Sequence, residues 1–441
     1  MTRRPDRRTL MTALAAVTAT GGADLPGTVL AAVLTPDQGP PMASAGVIAR
    51  HGDGSLALRA AAGQDFSERG ARPFGVNQPF RVASVSKMIA ATAFLTLALE
   101  TGLNLDADAS DLLGFRLRHP GWPSVPITAR MLLGHTSGLQ NGPSYPVPFD
   151  HELSEAFHPG GRHFDEGGWF GPHSPDAWFA YADINFALLA QMLERRTGMR
   201  FDRHMQHALF RPLGLDIGYN WSGVSDTRRT LAAAGVRWVQ GKWTPQVDGE
   251  VRRAPWLPVA RASEAADLDL ATYTPGTNGF LFSPQGGLRL SLVDMDLLAR
   301  VLVADGRWQG RSVIPKAALD LMHTRRWTLD PNRPNGEPEG VFKSYGLGCE
   351  TPAGLPGSDG DAYFGADSRD WRGHSGDAYG WITGLYWNLR DGRSLVYAIN
   401  GMPETHRPLA RRSSLTAPEE VLIDLAMAAI SASTSRRQPR Q

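Results

Sequence analysis

Hydrophobic and polar positions near the two ends of the chain follow the pattern of β-hairpins. Two short apolar runs, 45–49 and 56–58, flank an Asp-Gly turn close to the beginning. Two aromatic and β-branched runs, 379–387 and 394–400, flank a second Asp-Gly turn close to the end. Short apolar runs on either side of such a turn are a strong hairpin signal. The pattern therefore predicts β-structure at both ends of the chain.

Longer apolar runs predict helices between and after these hairpins. The run 87–100 is rich in Ala and Leu and is followed by Gly102, a residue type at which helices commonly end. Further helical patterns cover 184–197, 292–303 and 418–431. Strands at both ends around a helical middle predict an α/β (α+β) fold, in which helices flank an antiparallel sheet and an all-helical lobe is inserted.

This pattern also divides the chain into segments. The expected segments are an export signal with its linker (1–35), a main domain (40–405) and a basic tail (433–441). We expect an α/β lobe from about 40–83 and 290–432, and the helical lobe from about 84–290. The stretch 140–176 has almost no periodicity and many Pro, Gly and His residues, so we expect it to wall a cleft.

The first residues resemble a targeting segment. An Arg-Arg pair at 7–8 precedes an uncharged, Ala-rich stretch from Leu10 to about Ala23, as in a twin-arginine signal. A disordered basic tail is the alternative. The stretch is too short for a permanent membrane helix, and no later segment approaches ~20 unbroken apolar residues. We therefore expect a protein exported to the periplasm or beyond, with no stable membrane span.

Composition narrows the classes of function. The chain has 45 basic and 44 acidic residues and a formal net charge of +1, so nothing in its charge suggests a nucleic acid partner. Cys349 is the only cysteine, which excludes an internal disulfide and argues against a cysteine-based zinc site. We expect no cofactor or metal, and a small-molecule or peptide substrate. The sequence leaves the oligomeric state open.

Ser84 and Lys87 form a Ser-x-x-Lys motif at the start of the apolar run 87–100. If Ser84 begins that helix, Lys87 lies one turn on and on the same face. A serine hydroxyl needs a base to become a nucleophile, and a lysine in an apolar pocket has a lowered pKa and can accept the proton. Taken alone, the motif fits equally well a helix-capping serine beside a surface lysine.

Three later segments give the motif its context. They are Gly-His-Thr-Ser-Gly-Leu at 134–139, Tyr-Ala-Asp at 181–183 and Gly-His-Ser-Gly at 373–376. In this order they resemble the β-lactamase-fold serine hydrolases, which include class C β-lactamases, D-alanyl-D-alanine carboxypeptidases, D-aminopeptidases and esterases. The resemblance extends from about 45 to 402.

The resemblance implies roles for individual residues. Ser84 would be the acylated nucleophile and Lys87 its proton acceptor. Tyr181 would be a second proton relay, acting as a base only if Lys87 keeps the phenol partly ionised, because an unaided phenol titrates near pH ~10.

The third segment would edge the cleft in this family. His374, Ser375 and Gly376 would lie on the strand beside the substrate. The backbone N–H groups of Ser84 and Asp377 would form the oxyanion hole.

Two positions depart from the family pattern. Asp183 stands where an Asn is usual, and an ionised carboxylate only accepts hydrogen bonds. If Asp183 instead paired with Lys87, it would hold the lysine charged. His374 stands where β-lactamases of this class have Lys, and a neutral imidazole attracts a substrate carboxylate less strongly.

These departures favour a peptidase, amidase or esterase over an efficient β-lactamase. Our leading prediction is a serine hydrolase that cleaves amide or ester bonds through a Ser84 acyl-enzyme, with D-alanyl peptides cleaved in a carboxypeptidase-like reaction. The alternatives are an esterase or weak β-lactamase of the same fold, and a non-catalytic penicillin-binding or sensor module.

Overall fold

The structure of the chain is a computed structural model. It describes residues 27–36, 40–67, 70–246, 270–337, 340–405, 407 and 409–432. Residues 1–26 of the predicted export signal, and the whole of the predicted basic tail, lie outside the described residues.

Most strands are short, and a few long ones form the main sheet. In chain order the strands are β1 Ser44–Arg50, β2 Leu56–Ser67, β3 Gly70–Pro73, β4 Phe80–Arg81, β5 Gly218–Tyr219, β6 Val236–Val239, β7 Lys242–Pro245, β8 Leu288–Leu290, β9 Arg307–Trp308, β10 Arg311–Ser312, β11 Trp327–Thr328, β12 Ser344–Tyr345, β13 Trp371–Ala378, β14 Trp381–Asn388 and β15 Ser394–Asn400.

The main sheet has six strands in the order β13-β14-β15-β1-β2-β3, and the pairs within it are antiparallel. Strand β1 from the beginning of the chain pairs with β15 from its end, with Ser44 opposite Asn400 and Arg50 opposite Ser394. Both predicted hairpins, β1–β2 and β14–β15, are therefore confirmed. Strand β13 lies at one edge of this order.

Helices occur in all parts of the described chain. They are α1 Ala31–Leu34, α2 Val85–Thr101, α3 Ser110–Leu113, α4 Ala129–Leu133, α5 Ile184–Thr197, α6 Phe201–Met205, α7 Asp226–Thr230, α8 Leu292–Val303, α9 Lys316–His323 and α10 Ala417–Ala432. No helix among the described residues combines the length and apolar character needed to cross a membrane.

The main sheet is covered on both faces. Alternate side chains of a strand point to opposite sides of the sheet, so neighbouring residues of one strand belong to different cores. In β1, Ile48 belongs to the larger core that includes α2 and α8. Its neighbours Val47 and Ala49 belong to a second core that includes α10. The fold is thus an antiparallel sheet between helical layers, as the pattern of strands and helices predicts.

Helix bounds agree closely with the apolar pattern. The predicted helices 184–197 and 292–303 coincide with α5 and α8, and α10 extends the predicted 418–431 by one residue at each end. Helix α2 begins at Val85, two residues before the predicted start, and ends at Gly102 in a left-handed conformation with φ of 64°. The inserted lobe predicted at about 84–290 is not all-helical, because it contains the short strands β5, β6 and β7 as well as helices.

Candidate active site

Ser84 lies at the N-cap of helix α2, directly after a strained residue. Ala83 has a φ of +48°, an unfavourable value for a side chain other than glycine, and such strain persists only where the surroundings enforce it. The carbonyl of Val82 accepts a hydrogen bond of 2.8 Å from Thr383 Oγ1 in β14, which ties this turn to the sheet. The turn therefore holds Ser84 at the open end of a buried helix.

Lys87 lies one turn further along α2 and makes three polar contacts. Its Nζ is 3.0 Å from Ser84 Oγ, 2.9 Å from the backbone oxygen of Gln285 and 2.7 Å from Asp183 Oδ1. The side chain is completely buried. An ammonium has three protons to donate, so these contacts satisfy the charged form fully.

The charge state of Lys87 differs from the sequence-based expectation. Burial lowers the pKa of Lys87, but the Asp183 carboxylate and the Tyr181 phenol beside it outweigh burial, and the pKa lies above its usual value. The prediction of a lowered pKa in an apolar pocket was wrong, because the pocket contains a carboxylate. The alternative pairing of Asp183 with Lys87 is the one that the structure shows.

Tyr181 packs its ring against Lys87, with Nζ 4.7 Å from the ring centroid. Its hydroxyl is buried and lies beside Lys87 and Ser84. Burial raises the pKa of the phenol above its usual value, although the Lys87 ammonium opposes this rise. The phenol of Tyr181 is therefore neutral in the resting site. The partial ionisation that it would need in order to act as a base is absent in this state.

Tyr145 and Gln285, for which the sequence predicted no role, complete the site. Tyr145 donates a 2.9 Å hydrogen bond to Asp183 Oδ2 and accepts one of 3.1 Å from Gln285 Nε2. Because the backbone oxygen of Gln285 also accepts a hydrogen bond from Lys87, the residues Lys87, Asp183, Tyr145 and Gln285 form a closed hydrogen-bonded ring. Tyr145 belongs to the aperiodic stretch 140–176, where no periodic signal distinguished it from its neighbours.

Strand β13 passes close to the start of α2. A Cβ at Gly376 would overlap the carbonyl oxygen of Val82 and Thr383 Oγ1 and would lie 3.1 Å from the backbone nitrogen of Ser84. Only a glycine lets the two backbones approach this closely. The next residue, Asp377, is exposed and pairs with Arg407.

The imidazole of His374 is buried behind the site. Its Nε2 lies 2.7 Å from the hydroxyl of Tyr345, and its ring centroid is 6.1 Å from that of Tyr181. Burial, together with the Lys87 charge, lowers the pKa of His374 to about 3, so the ring is neutral at pH 7. Ser375 follows it on β13 and is half-buried.

His135 supports the turn that carries Tyr181. Its Nδ1 is 3.1 Å from the backbone nitrogen of Ala182 and 3.0 Å from Asn185 Nδ2, and its ring stacks 4.3 Å from that of Tyr181. The 134–139 segment thus fixes Tyr181 and the start of α5.

The structure offers few other reactive groups. Cys349 is buried, and burial raises the pKa of its thiol to about 12, which makes it a poor nucleophile. Across the described ranges, no three or more His, Cys, Asp or Glu side chains come together as a metal site requires.

The site combines a Ser-x-x-Lys pair at the start of a helix, a buried tyrosine next to that pair and an edge strand with a glycine beside it. The family described as Beta-lactamase matches residues 37–417. The chain belongs to the Beta-lactamase family. That match spans most of the chain and includes every residue of the candidate site.

Individual relatives are distant from this member of the family. A penicillin-binding protein of Bacillus subtilis is 27% identical over 155 residues, which cover 33% of this chain and 31% of the relative. A fimbrial assembly protein FimD of Dichelobacter nodosus is 29% identical over 134 residues, covering 30% and 33%. The chain thus aligns with about a third of the length of these curated relatives.

Solved structures share the fold across nearly the whole chain. An octameric penicillin-binding protein homologue from Pyrococcus abyssi has a TM-score of 0.60 at 16% identity, covering 98% of this chain and 78% of that one. A D-amino acid amidase from Ochrobactrum anthropi also has a TM-score of 0.60 at 16% identity, covering 97% and 99%. At such identities the similarity shows the fold alone.

Proposed function

We propose that the protein hydrolyses an amide or ester bond through a covalent acyl-enzyme on Ser84. The observation that carries the proposal is the contact of 3.0 Å between Ser84 Oγ and Lys87 Nζ at the start of a buried helix. A positioned amine beside a hydroxyl is the arrangement of an activated nucleophile. D-alanyl peptides remain our leading candidates for the acyl donor.

The resting charges define the order of proton movements. All three Lys87 protons are engaged, so this residue accepts a proton only after the ammonium has released one to the solvent. The amine then takes the proton of Ser84, whose Oγ bonds to the substrate carbonyl carbon. The neutral phenol of Tyr181, which lies beside Ser84 and Lys87, donates its proton to the leaving group as the carbon–nitrogen or carbon–oxygen bond breaks. Lys87 then reprotonates the phenol.

Water completes the cycle on the acyl-enzyme. The amine of Lys87 takes one proton of the attacking water, and the oxygen of the water bonds to the acyl carbon. Lys87 gives this proton to Ser84 Oγ as the acyl–oxygen bond breaks, which restores the free serine and the amine. Uptake of one proton from the solvent then restores the resting ammonium. The backbone N–H groups of Ser84 and Asp377 are our proposed oxyanion hole, supported by the close approach of β13 to α2.

The test is covalent labelling of the purified protein. Incubation with p-nitrophenyl acetate and with a fluorescent penicillin should add one acyl group, detected by intact mass. The Ser84→Ala variant should lose the adduct, whereas Ser154→Ala, which removes a serine outside the site, should keep it. The absence of labelling and turnover with both reagents would reject the hydrolase and favour a non-catalytic binding or sensor module.

The rate of release separates the remaining alternatives. A stable penicilloyl adduct together with turnover of D-alanyl peptides supports a peptidase or amidase. Rapid release of the penicillin product supports a β-lactamase, and turnover of esters alone supports an esterase. Export remains part of the proposal, based on the Arg-Arg pair at 7–8.

A further inference from the structure

The charge that the site exposes to a ligand is negative. Lys87 is completely buried, whereas 27% of the Asp183 side chain is exposed. His374 is neutral at pH 7 because its pKa is about 3. The half-buried Arg407 guanidinium is already paired with the exposed Asp377 carboxylate. A ligand that enters the site therefore meets the Asp183 carboxylate before it meets the buried cation.

Two neighbouring acceptors in the site have unused capacity. The carboxylate of Asp183 receives one donor on each oxygen, from Lys87 and from Tyr145, although a carboxylate offers about four lone-pair positions. Gln285 Oε1 is buried and has no hydrogen-bond partner in the described part of the chain. The amide nitrogen of the same side chain lies 3.1 Å from the Tyr145 hydroxyl, so one hydroxyl separates this amide group from Asp183. Acceptors that can still receive hydrogen bonds favour a ligand group rich in N–H.

The carboxylate also lies beside the reacting atom. Lys87 Nζ is 3.0 Å from Ser84 Oγ and 2.7 Å from Asp183 Oδ1, so one nitrogen separates the nucleophile from the carboxylate. Reacting atoms must come within about 3–3.5 Å of each other. A substituent one carbon from the scissile carbonyl then falls within reach of Asp183.

We propose that Asp183, with Gln285 Oε1, binds a free ammonium group on the carbon next to the scissile carbonyl. This inference rests on the proposed function and specifies its substrate as an amino-terminal aminoacyl amide or peptide. An N-acylated substrate presents a carbonyl oxygen at the same place, and two acceptors repel each other. The site thus selects for an amino-terminal residue and against an acylated one, unlike a carboxypeptidase.

The experiment compares two substrates that differ only at this nitrogen. D-alanine p-nitroanilide and N-acetyl-D-alanine p-nitroanilide are assayed at pH 7, where an α-amine is largely protonated. We expect the free amine to have a kcat/KM at least about tenfold higher, as a hydrogen bond to a charged group provides. The L-enantiomers, run in parallel, define the stereochemical preference.

Variants assign that preference to the carboxylate. In Asp183→Asn the ratio of the two kcat/KM values should fall to about threefold or less, because the ammonium loses a charged acceptor. Asp150→Asn, which neutralises an exposed carboxylate outside the site, should leave the ratio unchanged. A wild-type ratio near one, or an unchanged ratio in Asp183→Asn, would overturn the proposal.

A binding measurement keeps the test decisive if neither anilide is cleaved. D-alaninamide and N-acetyl-D-alaninamide then compete with p-nitrophenyl acetate hydrolysis. Stronger inhibition by the free amine, lost in Asp183→Asn, supports the proposal, and equal inhibition rejects it. If the proposed function itself were wrong, p-nitrophenyl acetate would show no turnover that depends on Ser84. That outcome differs from both inhibition results.

Discussion

At the scale of single residues, the site is governed by one buried ion pair. Asp183 stands where the family pattern has Asn, and its contact of 2.7 Å holds Lys87 as an ammonium. Burial of a lone lysine favours the uncharged amine, and a close carboxylate favours the ammonium. The amine required for acylation is therefore scarce at neutral pH.

Asp183→Asn should move the pH dependence of Ser84 acylation to lower pH. In the wild type the pKa of Lys87 lies above its usual value, so the rate should rise with pH into the alkaline range. Without the carboxylate, burial lowers the pKa of Lys87, and acylation at pH 7 should be retained or increased. Burst kinetics with p-nitrophenyl acetate, which carries no amine, measure this profile.

The same measurement shows whether the carboxylate has another role. Asp150→Asn is the matched control and should reproduce the wild-type profile. If Asp183→Asn abolished acylation at every pH, the carboxylate itself would be required to take the proton. An unmoved profile would show that the base is not Lys87.

Tyr145→Phe should destabilise the protein, because it opens the hydrogen-bonded ring that links Tyr145 to Asp183 and Gln285. It removes a buried donor to Asp183 and an acceptor of Gln285, and we expect a loss of about 1–3 kcal/mol in the free energy of unfolding in urea. In an Asp183→Asn background the loss should be smaller, because a hydrogen bond to a neutral amide is weaker than one to a carboxylate. Equal losses in the two backgrounds would contradict a direct contact between the residues.

At the scale of elements, the site depends on how closely strand β13 approaches helix α2. Gly376 faces the turn at Val82 and Ser84, where there is no room for a Cβ. We expect Gly376→Ala to fold but to displace the strand, and a displacement of about 1 Å at a reacting centre can cost about a hundredfold in rate. Acylation of Ser84 followed by mass spectrometry measures the loss.

The matched control is Gly75→Ala, where a Cβ would meet no atom within 4 Å. It should acylate at the wild-type rate. Acylation of Gly376→Ala at the wild-type rate would show that β13 does not define the site.

The sequence predicts elements better than it predicts contacts between them. Apolar periodicity located α5 and α8 at their observed bounds, and motif order located Ser84, Lys87 and Tyr181. Apolar periodicity indicates only which face of a helix or strand is buried. It therefore cannot identify Tyr145, which lies in an irregular segment. Contacts between elements depend on tertiary packing, so the sequence left open whether Asp183 pairs with Lys87, and only the structure shows that the carboxylate raises the pKa of Lys87.

At the scale of the whole molecule, the second core behind the sheet contains buried carboxyl groups. Glu350 accepts hydrogen bonds from the hydroxyls of Tyr386, at 2.7 Å, and Tyr363, at 3.2 Å. Burial raises the pKa of Glu350 to about 8. Glu419 is buried in the same way and accepts from Tyr397, and burial raises its pKa as well. These groups couple the stability of the fold to pH.

Glu350→Gln should reduce the loss of stability between about pH 4 and pH 8. An unfolded Glu titrates near pH ~4.3, so a folded-state pKa of about 8 favours folding below the unfolded value, and this contribution is lost as pH rises through the folded one. Thermal unfolding across this range should show a steeper decline in Tm for the wild type than for Glu350→Gln. Glu404→Gln, at a side chain that is 73% exposed, is the control and should follow the wild type. A wild-type slope in Glu350→Gln would mean that this carboxyl ionises at its usual pH despite its burial.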